Sequence, residues 1–297
     1  MLVSLAGIIW GTIGPGAHVV HDRSELSPLT VTAYRAVAAV AVLGAAVLLS
    51  GRQREVRAAV RREWRRVLVV GVLTAMFQML FFVGVVFTGV SLTTVVTLGF
   101  APVLLLVLGG IRERRAPGRA QVVTVVVAVA GLLLVTVAGA GSDAVSRPVL
   151  GILCALASGA AYAVSAEIAA PLSQRLDTLS VTASTIGVAA LVLIPGGLLV
   201  TAVRGDAFTS TDAVSWLLIL YLGVVTLAVA YGVLFTGLRT TPSGAAVVAT
   251  LLEPVTAVLI AVAFLGEQLT LAGAAGSLLI VAAITSLGRS SDPPPPQ

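Results

Sequence analysis

The sequence is short of most of what a soluble protein or an enzyme is built from. Only 10% of its 297 residues are charged and 5% are aromatic, with one cysteine and two histidines. A soluble domain ordinarily carries about 25% charged residues, so this chain has too little polar surface to be solvated as one. The single cysteine, Cys154, excludes an internal disulfide and a cysteine metal cluster. His18 and His21 lie near one face with no HExxH around them and no clustered acidic pair. No metal set or convergent nucleophile is therefore offered, and an enzyme is not expected. No GxxxxGK[ST] stretch occurs, which argues against ATP-driven work. No cofactor is expected.

What the chain has in abundance is apolar residues, 58% of the total, with a mean hydropathy of +1.08. Runs near twenty residues recur, the length that crosses a hydrocarbon core of about 30 Å. They fall at 2–20, 29–50, 67–87, 92–111, 121–140, 149–170, 179–203, 214–238, 244–265 and 271–287. The expected fold is an all-α polytopic membrane protein of ten spans, with the lipid bilayer as its solvent. The first run lacks a basic leader and carries Trp10 and a Gly-Pro-Gly at 14–16, so it is expected to be a span rather than a cleaved signal. The net charge of +5 does not point to nucleic acid, because the arginines lie in short loops between apolar runs.

Those arginines orient the bundle. With the N-terminus inside, 14 fall in cytoplasmic loops and 3 outside, and Arg35 is left in the membrane. The positive-inside rule then places both termini in the cytoplasm.

The chain also repeats itself. A shift of 152 residues lays Pro254 on Pro102, and with it Trp216 on Trp64, Gly223 on Gly71, Thr226 on Thr74, Thr240 on Thr88 and Ser243 on Ser91. Small offsets extend the match: GIIW at Gly7 to GILC at Gly151, LTVTA at Leu29 to LSVTA at Leu179, and Glu113 to Glu267. The expected organisation is a first five-helix repeat at 1–140, a second at 148–288, and a disordered tail at 289–297. Because five is odd, the second repeat inserts upside down. Such inverted repeats let many secondary carriers expose one central site to either side in turn, though a static channel can be built the same way.

Several elements then carry a resemblance. They are Gly7-Ile8-Ile9-Trp10-Gly11, the Arg35 helix after Ser27-Pro28, and Ala101-Pro102 followed by Arg112-Glu113-Arg114. Above all there is Leu252-Glu253-Pro254 with Leu265-Gly266-Glu267-Gln268-Leu269-Thr270. Together, over 5–287, they resemble the EamA repeat of the drug/metabolite transporter superfamily. The resemblance implies a secondary or facilitative carrier of small organic solutes, often an exporter of amino acids or related metabolites. It implies a cavity lined mainly by helices one, three, four, six, eight and nine, and the expected location is the plasma (inner) membrane. It names no particular solute. His18, the Pro15-Gly16 break and His21-Asp22-Arg23 depart from it.

Duplication supplies a filter for function, since groups the fold needs should recur while groups serving one asymmetric solute need not. Glu253 stands opposite Ala101, Gln78 opposite Ala230, His18 opposite Tyr162, Tyr231 opposite Met79, and Arg35 opposite Thr185. Gln78, Tyr162, Tyr231 and Glu253 are expected near mid-span, His18 and Arg35 toward the outer face, and Glu167 toward the cytoplasmic end. The candidate solute-binding residues are Trp10, His18, Gln78, Tyr162, Tyr231 and Glu253, with Arg35 and Glu253 as the candidate solute or coupling charges. Each has a plainer role available: packing for the aromatics, an ordinary interfacial position for His18, snorkelling for Arg35, and helix-end bonding for Glu253. Proton coupling through Glu253 remains open at this point, as do a passive channel, an uptake permease, an accessory membrane component and the oligomeric state.

Overall fold

A computed structural model of the chain describes residues 1–138, 147–264 and 270–289. Within them the protein is helical: α1 (Leu2–Trp10), α2 (Ile13–Arg23), α3 (Pro28–Leu49), α4 (Gln53–Glu113), α5 (Arg119–Ala138), α6 (Pro148–Arg175), α7 (Thr178–Arg204), α8 (Ala213–Tyr221), a π-helical stretch (Leu222–Val229), α9 (Ala230–Gly237), α10 (Ser243–Ala249), α11 (Leu252–Phe264) and α12 (Leu271–Arg289). Extended pairing among these residues amounts to one parallel bridge between Leu26 and Ala207. The expected turn at Gly266-Glu267-Gln268, the tail beyond Arg289 and most of the link between the repeats lie outside the described residues.

Eight helical stretches among the described residues are long and apolar enough to cross a membrane, and Leu271–Ser286 is a shorter apolar one. The 61 residues of α4 would span about 90 Å as one rod, three times the hydrocarbon core. The chain instead folds back at Gly89, whose φ of 78° and ψ of 167° are open to glycine and closed to other residues. Across that reversal Thr88 and Thr93 share a hydrogen bond of 3.1 Å, and a Cβ on Gly84 would meet the Thr93 methyl at 2.9 Å. The turn falls where the sequence places the boundary between 67–87 and 92–111.

Local chemistry sets the other ends. Ser27 caps α3 by accepting from the Thr30 amide, with Pro28 in the first turn, where a missing N–H is harmless. At the matching position of the second repeat, Asp177 caps α7 by accepting from Ser180. Outward faces carry exposed leucines and valines such as Leu191, Val203, Leu217 and Leu278. In water that surface would drive aggregation; in lipid it is the solvated face.

Glycine contacts reproduce the duplication in three dimensions. A Cβ on Gly71 would lie 2.7 Å from the Thr185 carbonyl oxygen and 2.5 Å from Val188 Cβ; on its counterpart Gly223 it would lie 2.5 Å from the Arg35 carbonyl oxygen and 2.6 Å from Ala38 Cβ. Arg35 and Ala38 are the counterparts of Thr185 and Val188, so the two contacts exchange under the repeat. Gly131 and Gly276 pack on each other reciprocally, joining α5 to α12. Small residues at such crossings let helix backbones approach closely where no hydrophobic force between helices exists.

Candidate functional site

Three spans depart from regular α-helix at places that touch one another. The first span breaks at Gly11–Thr12, between α1 and α2. The sequence places the break at Pro15-Gly16, but Pro15 sits in the first turn of α2, where it has no helical bond to lose. The irregularity therefore falls a turn earlier, where Thr12 Oγ1 donates to Ile9 O at 2.7 Å and accepts from Tyr221 at 2.9 Å. The span 213–237 widens into the π-helical stretch, a device often found where a helix meets a functional site. The third break, at Thr250–Leu251, follows from Pro254: it has no N–H for the Thr250 carbonyl, which takes the Glu253 amide at 2.9 Å instead. Gly7 packs onto the same carbonyl, and Gly11 onto the Glu253 carbonyl and Thr256.

Around these breaks the aromatics gather. Trp10 on α1 stands between Tyr162 on α6 and Tyr231 on α9, with ring centroids at 6.3 and 5.2 Å, both edge to face. Phe77 lies 5.1 Å from Tyr162, and Phe235 lies 5.9 Å from Tyr231. One third of the chain's aromatic residues thus sit in one cluster of a protein that has few. Their polar edges are held: Trp10 Nε1 donates to Thr226 O at 2.9 Å, and the Tyr162 hydroxyl shares a 2.8 Å hydrogen bond with Thr250 Oγ1.

The charges converge on the same place. Arg35 is 5% exposed, and its Nη2 reaches Thr226 Oγ1 at 3.5 Å. Its long side chain turns into the bundle, to the residue that also holds Trp10. Its Nε has no hydrogen-bond partner. Glu253, half-buried at the start of α11, lies within electrostatic reach of Arg35, Tyr162 and Tyr231 without forming an ion pair. Gln78 is buried on α4 with both ends of its amide unpartnered.

His18 stands apart. It is exposed, and its Nδ1 faces Asp22 at 2.8 Å, so the structure does not bring it to the centre. Glu167 is also engaged elsewhere, with Arg112 at 2.9 Å and the Ser243 hydroxyl. That contact, with Glu63–Arg175 at 3.0 Å and Arg52–Asp177 at 3.2 Å, ties the two repeats together at one end of the bundle. At the other end Arg23 and Asp212 meet at 3.2 Å. The Arg23 hydrogen bond, followed by the bonds from Ser215, holds the Asp212 carboxyl down at about 2.

Two small cavities flank the centre at successive levels along the same helix. One, of about 40 Å³, touches Leu222, Ile13, Thr32, His21 and Arg35. The other, of about 10 Å³, lies among Thr74, Phe77, Tyr162, Ser165, Tyr231 and Phe235. Thr226 falls between them. Metabolite sites usually need about 300 Å³ or more, so the centre is closed in this conformation. Thr74, Phe77, Ser165, Thr226 and Thr250 are not among the candidate site residues drawn from the sequence. Thr74 and Thr226 do carry a signal, for they match each other in the repeat.

Interrupted helices around a buried polar centre, inside a bundle with a lipid-facing surface, define a multi-pass membrane transporter fold. The model of the EamA-like transporter family matches residues 1–137 and again 149–289, and the chain belongs to that family. The uncharacterized transporter YwfM of Bacillus subtilis (strain 168) is 29% identical over 280 residues, which is 91% of this chain and 86% of that protein. A solved crystal structure superposes with a TM-score of 0.78 and 19% identity over 98% of each chain, a likeness of fold.

Proposed function

We propose that the protein is a secondary or facilitative carrier that exports a small organic metabolite, an amino acid or related compound, by alternating access around the Trp10–Tyr162–Tyr231 centre. The observation that carries this reading is the meeting of two broken helices and a π-helical stretch at one buried polar cluster, akin to the discontinuous helices by which transporters build a central site. Cavities at two levels along one helix, with repeat-to-repeat ion pairs beyond each, fit a site that opens to one side at a time. Purified protein in liposomes should show saturable counterflow: external unlabelled solute should drive transient accumulation of labelled solute. Flux that rises linearly with concentration and shows no counterflow would mean a channel.

The same reading places ten spans in the plasma membrane with both termini cytoplasmic. Single cysteines introduced at Arg57 and Arg115, in a chain with Cys154 replaced by alanine, should react with an impermeant thiol reagent only after the cells are opened. One at Phe208 should react in intact cells. The reverse pattern would overturn the orientation.

A further inference from the structure

Given the carrier reading on which it rests, we infer that Arg35 is the carboxylate-binding residue of the transported solute, at the cavity it lines together with His21 and Leu222. Arg35 lines that cavity while being 5% exposed, and the other groups around it, apart from Thr32 and His21, are apolar. An arginine offers five N–H donors in a planar fork. Here one bond, long at 3.5 Å, goes to Thr226 Oγ1, and Nε finds no protein acceptor. Thr226 Oγ1 is itself committed as a donor to Leu222 O at 2.6 Å.

No carboxylate among the described residues answers this cation at contact distance. Asp22 faces His18, Asp212 holds Arg23, Glu63 holds Arg66 and Arg175, and Glu167 holds Arg112. Glu253 acts on Arg35 from beyond ion-pair range. A buried guanidinium without a contacting anion is costly, and a carboxylate supplies the two-pronged partner that its geometry fits.

The charge of the site favours a carboxylate over a phosphate. One guanidinium already shares its field with Glu253, so a monoanion leaves less net charge in a low-dielectric interior than a dianion would. Size agrees: about 40 Å³ is room for roughly three water-sized groups, enough for a carboxylate head but not for a whole metabolite. The body of the solute would then extend toward Trp10 and Tyr231 once the centre opens. Gly223 fixes the position of the arginine, because its missing side chain lets the Arg35 backbone approach the π-helical stretch.

The test is thermal stabilisation of the purified protein by a series of compounds. The series pairs straight, branched and aryl monocarboxylates from acetate to phenylpropionate with their neutral amides, and adds leucine, leucinamide and phenyl phosphate. Carboxylates and leucine should stabilise the protein, while amides and leucinamide should not. Arg35→Gln should weaken carboxylate binding by about thirtyfold or more, the low end for removing one partner of a buried charge pair, and Arg35→Lys should recover part of it. Stabilisation by amides as strong as by acids, by phenyl phosphate alone, or by no member of the series would overturn the assignment. So would acid binding unchanged in Arg35→Gln. If Arg35→Gln does not fold, the acid–amide comparison on the unmodified protein decides by itself. Counterflow separates the two readings: acids that bind without counterflow leave the site standing and remove the carrier. Counterflow of a solute with no carboxylate, unaltered in Arg35→Gln, does the opposite.

Discussion

Replacing Gly223 or Gly71 by leucine should remove folded protein from the membrane, whereas Gly44→Leu should leave it. Each of the first two glycines faces backbone. A Cβ on Gly223 would lie 2.5 Å from the Arg35 carbonyl oxygen, and one on Gly71 would lie 2.7 Å from that of Thr185. A carbonyl on a packed helix cannot rotate aside as a side chain does, so the helices themselves must separate. Even Gly→Ala should cost about 1–3 kcal/mol at these positions, the usual range for overpacking, and a leucine more. Gly44 sits on the same helix as Arg35, but an added Cβ there meets nothing within 4 Å. Any general intolerance of glycine replacement would therefore show in all three variants. Monodisperse yield in detergent and the melting temperature report the difference, and wild-type values for Gly223→Leu and Gly71→Leu would mean that these crossings do not hold the bundle.

That pair of contacts also shows which parts of the molecule a sequence can display. The match of Gly223 to Gly71 is visible in the letters, and the exchange of their contacts follows from duplication alone. The reversal at Gly89 was legible as well, since an apolar stretch too long for one crossing must turn where small and polar residues interrupt it. The centre was legible in part. Trp10, Tyr162 and Tyr231, all candidates from the sequence, lie in contact with one another in the structure.

The contact of Arg35 with Thr226 is not legible in the sequence, because the position of a Cα says little about where so long a side chain ends. His18 stays at the surface, where Asp22, one turn along the same helix, engages it. At the break at Gly11–Thr12, Thr12 accepts from Tyr221, a partner 209 residues away that no local pattern reveals. Asymmetry between the repeats, useful for finding Glu253 and Gln78, also hid Thr74 and Thr226. These two recur in both repeats yet reach the centre, one bonding Ser165 at 3.4 Å and the other Trp10 and Arg35. A duplicated polar group can serve fold and site together.

Glu253→Gln should abolish solute accumulation driven by a pH gradient while leaving exchange intact. Glu253 is the acidic residue among those the structure brings to the centre, and it stands on the interrupted helix, half-buried and free of any ion pair. If it takes up a proton on one side and releases it on the other, each proton exchanged per solute converts one pH unit into a tenfold concentration ratio. Liposomes carrying the wild type under one pH unit should then reach about tenfold accumulation, and those carrying Glu253→Gln should stop near equal concentrations. The variant should still fold, because α11 is seated through backbone: Gly11 rests on the Glu253 carbonyl and Gly7 on that of Thr250, and neither contact involves the carboxylate. Glutamine keeps the shape and removes the titration, so counterflow without a gradient should persist within a fewfold of wild type. Unchanged pH-driven accumulation in the variant would remove Glu253 as the proton carrier. Loss of folded protein would instead make the carboxylate a structural partner of Arg35, the buried cation whose field it shares.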